Sequence, residues 1–81
     1  MAGGRVVSFC VRLMLVQEGR EHNVARYDTA HGVPHRDVLG QQGRLVQKTW
    51  FPDQPLEAVL NHALNDFKLH YRQYEKAWQN K

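Results

Sequence analysis

Apolar residues recur at every second position through the first part of the chain. From position 7 to position 15 these residues are Val7, Phe9, Val11, Leu13 and Leu15. Because successive side chains of a strand point to opposite faces of a sheet, this alternation predicts a β-strand. The positions between them are also partly apolar, namely Val6, Cys10, Met14 and Val16. A strand with two apolar faces is either covered on both sides or forms an oligomer interface.

Three further strands are predicted between residues 23 and 51. The second strand alternates through residues 23–31, with Ala25, Tyr27 and Thr29 on one face and Val24, Arg26 and Asp28 on the other. The segments 35–39 and 44–51 indicate the third and fourth strands, with turns around Gly19, at 32–34 and at 40–43. Such short connections favour antiparallel pairs, because a parallel pair needs a longer crossover.

The apolar period changes after the segment FPDQP. From Leu56 it becomes about 3.6 residues, which predicts a helix of roughly 24 residues and about 36 Å. The apolar stripe of this helix comprises Leu56, Val59, Leu60, Ala63, Leu64, Phe67, Tyr71, Tyr74 and Trp78. A helix of this length exceeds the width of a small sheet. We therefore expect its aromatic end, with Tyr71, Tyr74 and Trp78, to overhang the sheet and to meet a second copy of the chain.

The predicted fold class is α+β, with the order β-β-β-β-α. It has an antiparallel sheet of three to four strands and one long C-terminal helix packed on one face. Residues 1–81 are expected to form a single domain, with residues 1–4 disordered. A chain this short buries only roughly 60–65% of its unfolded surface. Together with the apolar second face of the sheet, this favours a homodimer.

Composition narrows the classes of function. Lysine and arginine number 11 against 8 aspartates and glutamates, a net charge of +3. This balance permits phosphate binding but lacks the dense basic stripe of a dedicated nucleic-acid binder. The lone Cys10 excludes an internal disulfide and fits a reducing, cytoplasmic compartment. Arg12 interrupts the apolar N-terminal run, so we expect neither a signal peptide nor a membrane span.

The densest group of chemically active side chains lies in the segment RYDTAHGVPHRD, residues 26–37. If residues 32–34 form a three-residue loop, His31 and His35 are opposed, with Cβ atoms roughly 4.5–5.5 Å apart. Two imidazoles at that distance can act as general base and general acid, or bind a metal. The alternative is a pair of solvent-exposed turn histidines, which a register slip of one residue would separate.

The other residues of this segment suggest chemistry on phosphate. Arg26 and Asp28 share a strand face and form either a phosphate-binding guanidinium with its orienting carboxylate, or a surface ion pair worth about 0.2–1 kcal/mol. The hypothesis of RNA cleavage takes His31, His35, Asp28 and Tyr27 as catalytic residues and Arg26 and Arg36 as phosphate-binding residues. In that reaction a base removes the ribose 2′-OH proton, an acid protonates the leaving oxygen, and a cation stabilises the phosphorane.

Metal binding and the helix histidines offer alternatives. Nitrogen and oxygen donors are present at Asp28, His31, His35 and Asp37, but the chain has no HExxH and no paired CxxC. We therefore expect neither a metal site nor a cofactor. His62, Asp66 and His70 follow at intervals of four residues. His70 borders the apolar stripe and can join the hairpin cluster, or it is an ordinary hydrogen-bonded boundary residue.

The segment RYDTAHGVPHRD also resembles a signature of small prokaryotic proteins, some of them described as toxins of type II toxin–antitoxin modules. Those proteins carry an Arg-Tyr-Asp segment followed by Ala-His and further histidines, with strands first and a C-terminal helix. This chain differs at Thr29, where asparagine is more common, and at Asp37, where another histidine is more common. The resemblance implies a cytoplasmic prokaryotic or phage protein, with RNA as substrate and a cognate antitoxin as partner.

Two hypotheses of different classes follow. The first is a small RNA-cleaving enzyme that uses the hairpin segment 26–37. The second is a homodimeric α+β module that binds a partner protein or nucleic acid without catalysis. Binding led by phosphate contacts should weaken steeply with salt, whereas docking through an apolar face should not.

Overall fold

Four antiparallel strands in sequential order form one sheet, and a long helix covers one of its faces. The computed structural model describes residues 7–29 and 32–80. The elements are β1 (Cys10–Gln17), β2 (Arg20–Asp28), β3 (His35–Leu39), β4 (Leu45–Trp50) and α1 (Leu56–Asn80). The predicted α+β fold class is thereby confirmed. The predicted disorder of residues 1–4 lies outside the described residues.

The hairpin between β1 and β2 turns through two residues, Glu18 and Gly19. Both have a positive φ, 55° and 74°, as a tight two-residue hairpin turn requires. Further along the hairpin the register shifts, because Leu13 faces Ala25 while Met14 faces Asn23. Val24 is therefore an extra residue in β2, a β-bulge. The bulge explains why Val24 and Ala25 are both fully buried, although simple alternation placed them on opposite faces.

The core lies between α1 and the helix-facing side of the sheet, which we call the covered face. From the helix it takes Val59, Ala63, Phe67, Tyr74 and Trp78, and from the sheet Val24, Ala25, Tyr27 and Val38. These helix positions follow a spacing of about four residues, typical of an amphipathic helix. The backbone at His70 departs from helical geometry, with φ −125° and ψ 15°.

The expected overhang of the aromatic helix end is wrong for two of its three residues. Tyr74 and Trp78 are only 8% and 7% exposed, and the Trp78 ring lies 4.8 Å from that of His22 on β2. The β1–β2 hairpin thus reaches far enough to cover this end of the helix. Tyr71 is 40% exposed and lies outside the core.

The opposite side of the sheet, which we call the outer face, carries no helix among the described elements. On β1 it presents Cys10, Arg12, Met14 and Val16, all of them exposed. The predicted second apolar face of β1 is therefore present at Cys10, Met14 and Val16, whereas Val6 lies outside the described residues. None of the helices in the described part of the chain is long and apolar enough to span a membrane.

Candidate functional site

Strand β3 carries polar groups to both faces of the sheet. His35 and Asp37 point to the outer face, where they meet Arg26, Asp28 and Lys48. Arg36, between them, points to the covered face and reaches Tyr74 of the helix. The result is two separate groups. The outer cluster comprises Arg26, Asp28, His35, Asp37 and Lys48, and the inner cluster comprises Tyr27, Arg36, Asp66, His70 and Tyr74.

The β2–β3 register defines the outer cluster. Asp28 faces His35 and Arg26 faces Asp37 across the strands. The expected three-residue loop at 32–34 is therefore wrong, because residues 29–34 together connect the strands. His31, expected opposite His35, falls in this connection and lies outside the described residues.

The two carboxylates of the outer cluster share one guanidinium. Arg26 Nη2 donates to Asp37 Oδ2 at 2.6 Å, and Arg26 Nε lies 3.1 Å from Asp28 Oδ2. The hydrogen bond to Asp37 raises the pKa of Arg26 above its ordinary value, against the opposing effect of burial. Asp37 is 2% exposed, so its charge depends on these partners for compensation.

His35 is enclosed by the same carboxylates. Its Nε2 lies 3.1 Å from Asp28 Oδ1 and 3.7 Å from Asp37 Oδ2, and its Nδ1 lies 3.1 Å from the carbonyl oxygen of Val33. The ring packs beside Trp50, with centroids 4.9 Å apart. His35 is only 3% exposed, which limits the approach of a large substrate. Three donor groups, Asp28, His35 and Asp37, offer metal-ligand atoms that all lie within 4.8 Å of one another.

The inner cluster is built around the carboxylate of Asp66. Its Oδ2 accepts hydrogen bonds from the hydroxyls of Tyr27, at 2.7 Å, and Tyr74. Its Oδ1 lies 2.9 Å from His70 Nδ1, one helical turn away. Burial alone would raise the pKa of Asp66, but the hydrogen bonds from Tyr74, Tyr27 and His70 hold it below its ordinary value. Asp66 is therefore an anion at neutral pH, and the Nδ1–H of His70 is the donor.

Arg36 completes the inner cluster. Its Nη1 donates to the Tyr74 hydroxyl at 3.1 Å, and its Nη2 donates to Thr49 Oγ1 at 3.3 Å. Burial raises the pKa of Tyr27 and of Tyr74, and the hydrogen bond of each to Asp66 adds to that rise. Both tyrosines are therefore hydrogen-bond donors at neutral pH. A continuous chain of hydrogen bonds runs from Arg36 through Tyr74 and Asp66 to His70.

A pocket of about 350 Å³ opens beside the inner cluster. Its lining includes Arg36, Asp66, His70, Gln73 and Tyr74. A larger pocket, of about 680 Å³, lies near the β1–β2 turn and the end of the helix, with Arg20, His22 and Trp78 in its wall. The smaller pocket is the stronger candidate for chemistry, because it alone of these two has a hydrogen-bonded carboxylate–histidine pair beside an arginine.

Comparison of the chain with known proteins identifies the family to which it belongs. The model of a domain of unknown function, DUF7718, matches residues 1–81. The chain belongs to this family. No curated protein and no solved structure matches it. The family carries no assigned activity.

The structure distributes the predicted site residues over both faces of the sheet. Arg26, Asp28 and His35 come together in the outer cluster. Tyr27 and Arg36 belong to the inner cluster on the opposite face. The hairpin residues that the structure describes therefore do not converge on one site, and the proposed catalytic and phosphate-binding roles, including that of His31, remain predictions.

Three residues of the inner cluster had no assigned role in the hairpin hypothesis. They are Asp66, His70 and Tyr74. The signal available in the sequence was their spacing, since Asp66, His70 and Tyr74 follow at intervals of four residues and so share one helix face. In the outer cluster Lys48 Nζ lies 3.6 Å from Asp37 Oδ1. No pattern in the sequence around Lys48 predicted this contact.

Proposed function

We propose that this protein binds RNA at the pocket beside the inner cluster and cleaves it, with His70 as the general base. The observation that carries the proposal is the Asp66–His70 pair. Asp66 Oδ1 lies 2.9 Å from His70 Nδ1 and fixes the hydrogen of the neutral ring on that nitrogen. The lone pair is then on Nε2, as proton abstraction requires. His70 lines the pocket, and its side chain is 47% exposed.

The remaining members of the cluster fit the demands of phosphodiester cleavage. His70 would accept the proton of the ribose 2′-OH, whose oxygen would attack the adjacent phosphorus and form a 2′,3′-cyclic phosphate. The bond from phosphorus to the 5′-oxygen would break, and the leaving 5′-oxygen would take its proton from water. Arg36 lies in the wall of the same pocket and would stabilise the negative charge that develops on the phosphoryl oxygens. Tyr74 and Asp66 are positioning residues, since they connect Arg36 to His70 through hydrogen bonds.

RNA is favoured over DNA because this route needs the 2′-OH of the substrate. The net charge of +3 supports an anionic ligand. Amide side chains from Gln47 and Gln73 also line the pocket and can hydrogen-bond to a base or a phosphate. The resemblance of segment 26–37 to toxin sequences supports the same substrate, and with it a cognate antitoxin as partner.

The test is cleavage of a fluorescent single-stranded oligoribonucleotide by the purified chain. We expect His70→Gln to lower the rate about 10²–10⁴-fold, the usual contribution of a general base. His62→Gln is the matched control, an exposed histidine two turns earlier on the same helix, and should leave the rate within a few-fold. An oligonucleotide with 2′-deoxyribose at every position should resist cleavage. Full activity of His70→Gln would refute the proposal.

A second candidate function is a homodimeric binding module. It is favoured by the exposed apolar residues of the outer face, where Met14 is 37%, Val16 65% and Trp50 49% exposed. Exposed apolar groups of this kind commonly mark interaction surfaces. Sedimentation of the wild type and of Val16→Glu distinguishes the cases. A wild-type dimer that Val16→Glu dissociates would support the binding module. A wild type that is monomeric at all concentrations would exclude it.

A further inference from the structure

Three donor groups of the outer cluster are arranged as metal ligands. His35 Nε2 lies 3.1 Å from Asp28 Oδ1 and 3.7 Å from Asp37 Oδ2. In a tetrahedral site with metal–ligand bonds of roughly 2.0–2.2 Å, neighbouring ligand atoms lie about 3.4 Å apart. These two separations lie on either side of that value. The three ligand atoms all lie within 4.8 Å of one another, so small side-chain movements would close the site.

The hydrogen bond on the other side of the imidazole favours a ligand role for His35. Its Nδ1 lies 3.1 Å from the carbonyl oxygen of Val33, which can only accept. With a metal ion bound at Nε2, the ring would therefore keep its hydrogen on Nδ1 and donate it to that carbonyl oxygen. Metal-binding histidines commonly have this arrangement, in which a backbone carbonyl fixes the tautomer.

Asp37 supplies a second, independent observation. Its side chain is 2% exposed, and its Oδ1 is buried with no hydrogen-bond partner among the described residues. The nearest cation is Lys48, whose Nζ is 3.6 Å from Oδ1, too long for a hydrogen bond. A buried carboxylate oxygen without a donor calls for a water molecule or an ion.

In this structure Arg26 bridges the carboxylates of Asp28 and Asp37. Its Nη2 lies 2.6 Å from Asp37 Oδ2, and its Nε lies 3.1 Å from Asp28 Oδ2. Its side chain is 38% exposed, so it has a route to solvent. A guanidinium that bridges two carboxylates compensates the same charge that a divalent ion would compensate. The two cations must therefore compete for Asp28 and Asp37.

We propose that Asp28, His35 and Asp37 bind one divalent transition-metal ion of the Zn²⁺ class on the outer face, and that Arg26 is its built-in competitor. Imidazole and carboxylate ligands suit Zn²⁺ better than Mg²⁺, which prefers oxygen ligands and retains its water. The site lies across the sheet from the inner cluster and does not depend on the proposed RNA cleavage.

The test is calorimetric titration of the full chain with ZnCl2, with MgCl2 as the comparison ion. We expect one Zn²⁺ per chain and at least about tenfold weaker binding of Mg²⁺. Arg26→Gln should strengthen Zn²⁺ binding at least about tenfold, because it removes the competitor. Arg12→Gln is the matched control. Arg12 faces Arg26 across β1 and β2, so its loss removes the same charge from the same face.

Asp28→Asn should weaken Zn²⁺ binding by at least about tenfold. If the substitution also disturbs folding, the ring signals of His35 in NMR spectra of Arg26→Gln provide the second measurement. Zn²⁺ should shift those signals at one equivalent and leave those of His62 unchanged. Two results would overturn the proposal: Zn²⁺ affinity that Asp28→Asn leaves intact, as binding at other histidines would give, or no change in Arg26→Gln.

Discussion

The outer and inner clusters lie on opposite faces of the same strand, and they protect their charges in different ways. In the outer cluster the carboxylates of Asp28 and Asp37 are compensated by cations. In the inner cluster the single carboxylate of Asp66 is compensated largely by neutral hydroxyl donors and a histidine. The first arrangement balances charge, and the second solvates a single anion.

Side chains are buried on the outer face of the sheet as well as beneath the helix. Asp37 and His35 are 2% and 3% exposed although no described helix covers the outer face. Their cover comes from neighbouring side chains on the sheet, including Arg26, Lys48 and Trp50. The inner cluster lies under the helix, yet His70 remains accessible at the pocket. The outer face therefore carries a closed, charge-balanced cluster, and the covered face carries a cluster that opens to a pocket at His70.

The largest effect is expected from Asp37→Asn. The substitution breaks the charge-assisted bond of 2.6 Å from Arg26 to a side chain that is 2% exposed, which costs about 3 kcal/mol in the free energy of unfolding. Urea denaturation at pH 7 measures this loss. Asp53→Asn is the control, because Asp53 is exposed in the loop before α1 and should change stability by less than about 0.5 kcal/mol. A loss below about 1 kcal/mol would mean that Arg26 simply returns to water.

A smaller effect is expected from Tyr27→Phe in the inner cluster. The substitution removes a hydroxyl that donates to the Asp66 carboxylate at 2.7 Å, in a side chain with 0% exposure. A buried hydrogen bond to a charged acceptor contributes about 2 kcal/mol. Tyr71→Phe on the exposed side of the helix should be close to neutral. Equal denaturation midpoints for the two variants would contradict the role given to Asp66.

The smallest effect is expected from Asp66→Asn, and it should depend on pH in the acid range. The pKa of Asp66 is lowered in the folded state by its hydrogen bonds, so the ionised form stabilises the fold. This contribution is present above the unfolded pKa of about 4 and is lost as pH falls through the lowered folded value. At pH 7 we expect Asp66→Asn to be less stable than wild type by about 1 kcal/mol. The difference should shrink below about pH 4, and a constant difference from pH 7 to pH 2 would contradict it.

Much of the fold was predictable because each element has a periodic pattern of its own. The alternation of Phe9, Val11 and Leu13 predicted β1, and the change of period at Leu56 predicted the start of the helix. The bulge at Val24 was not predictable, because it depends on how β1 and β2 pair. The contact that covers Trp78 within the chain was not predictable for a similar reason, since its partner His22 is distant in the sequence.

The candidate site was harder to predict from the sequence than the fold was. Strand alternation already separates Tyr27 from Arg26 and Asp28, and the same rule separates Arg36 from His35 and Asp37. Density of polar residues along the chain was therefore a poor guide to convergence in space. The helical spacing of Asp66 and His70 was visible, but their link to Tyr27 and Arg36 crosses from helix to sheet.

Local pattern in the amino-acid sequence was sufficient for the type and order of the elements, and for the number of strands to within one, because periodicity and turn residues act over a few positions. Strand register, the bulge and the packing of α1 depend on contacts between distant segments. Those contacts place Asp28 opposite His35 and bring Asp66 to Tyr27. Each cluster is assembled from at least two elements, so its geometry exists only after the sheet has paired and the helix has docked.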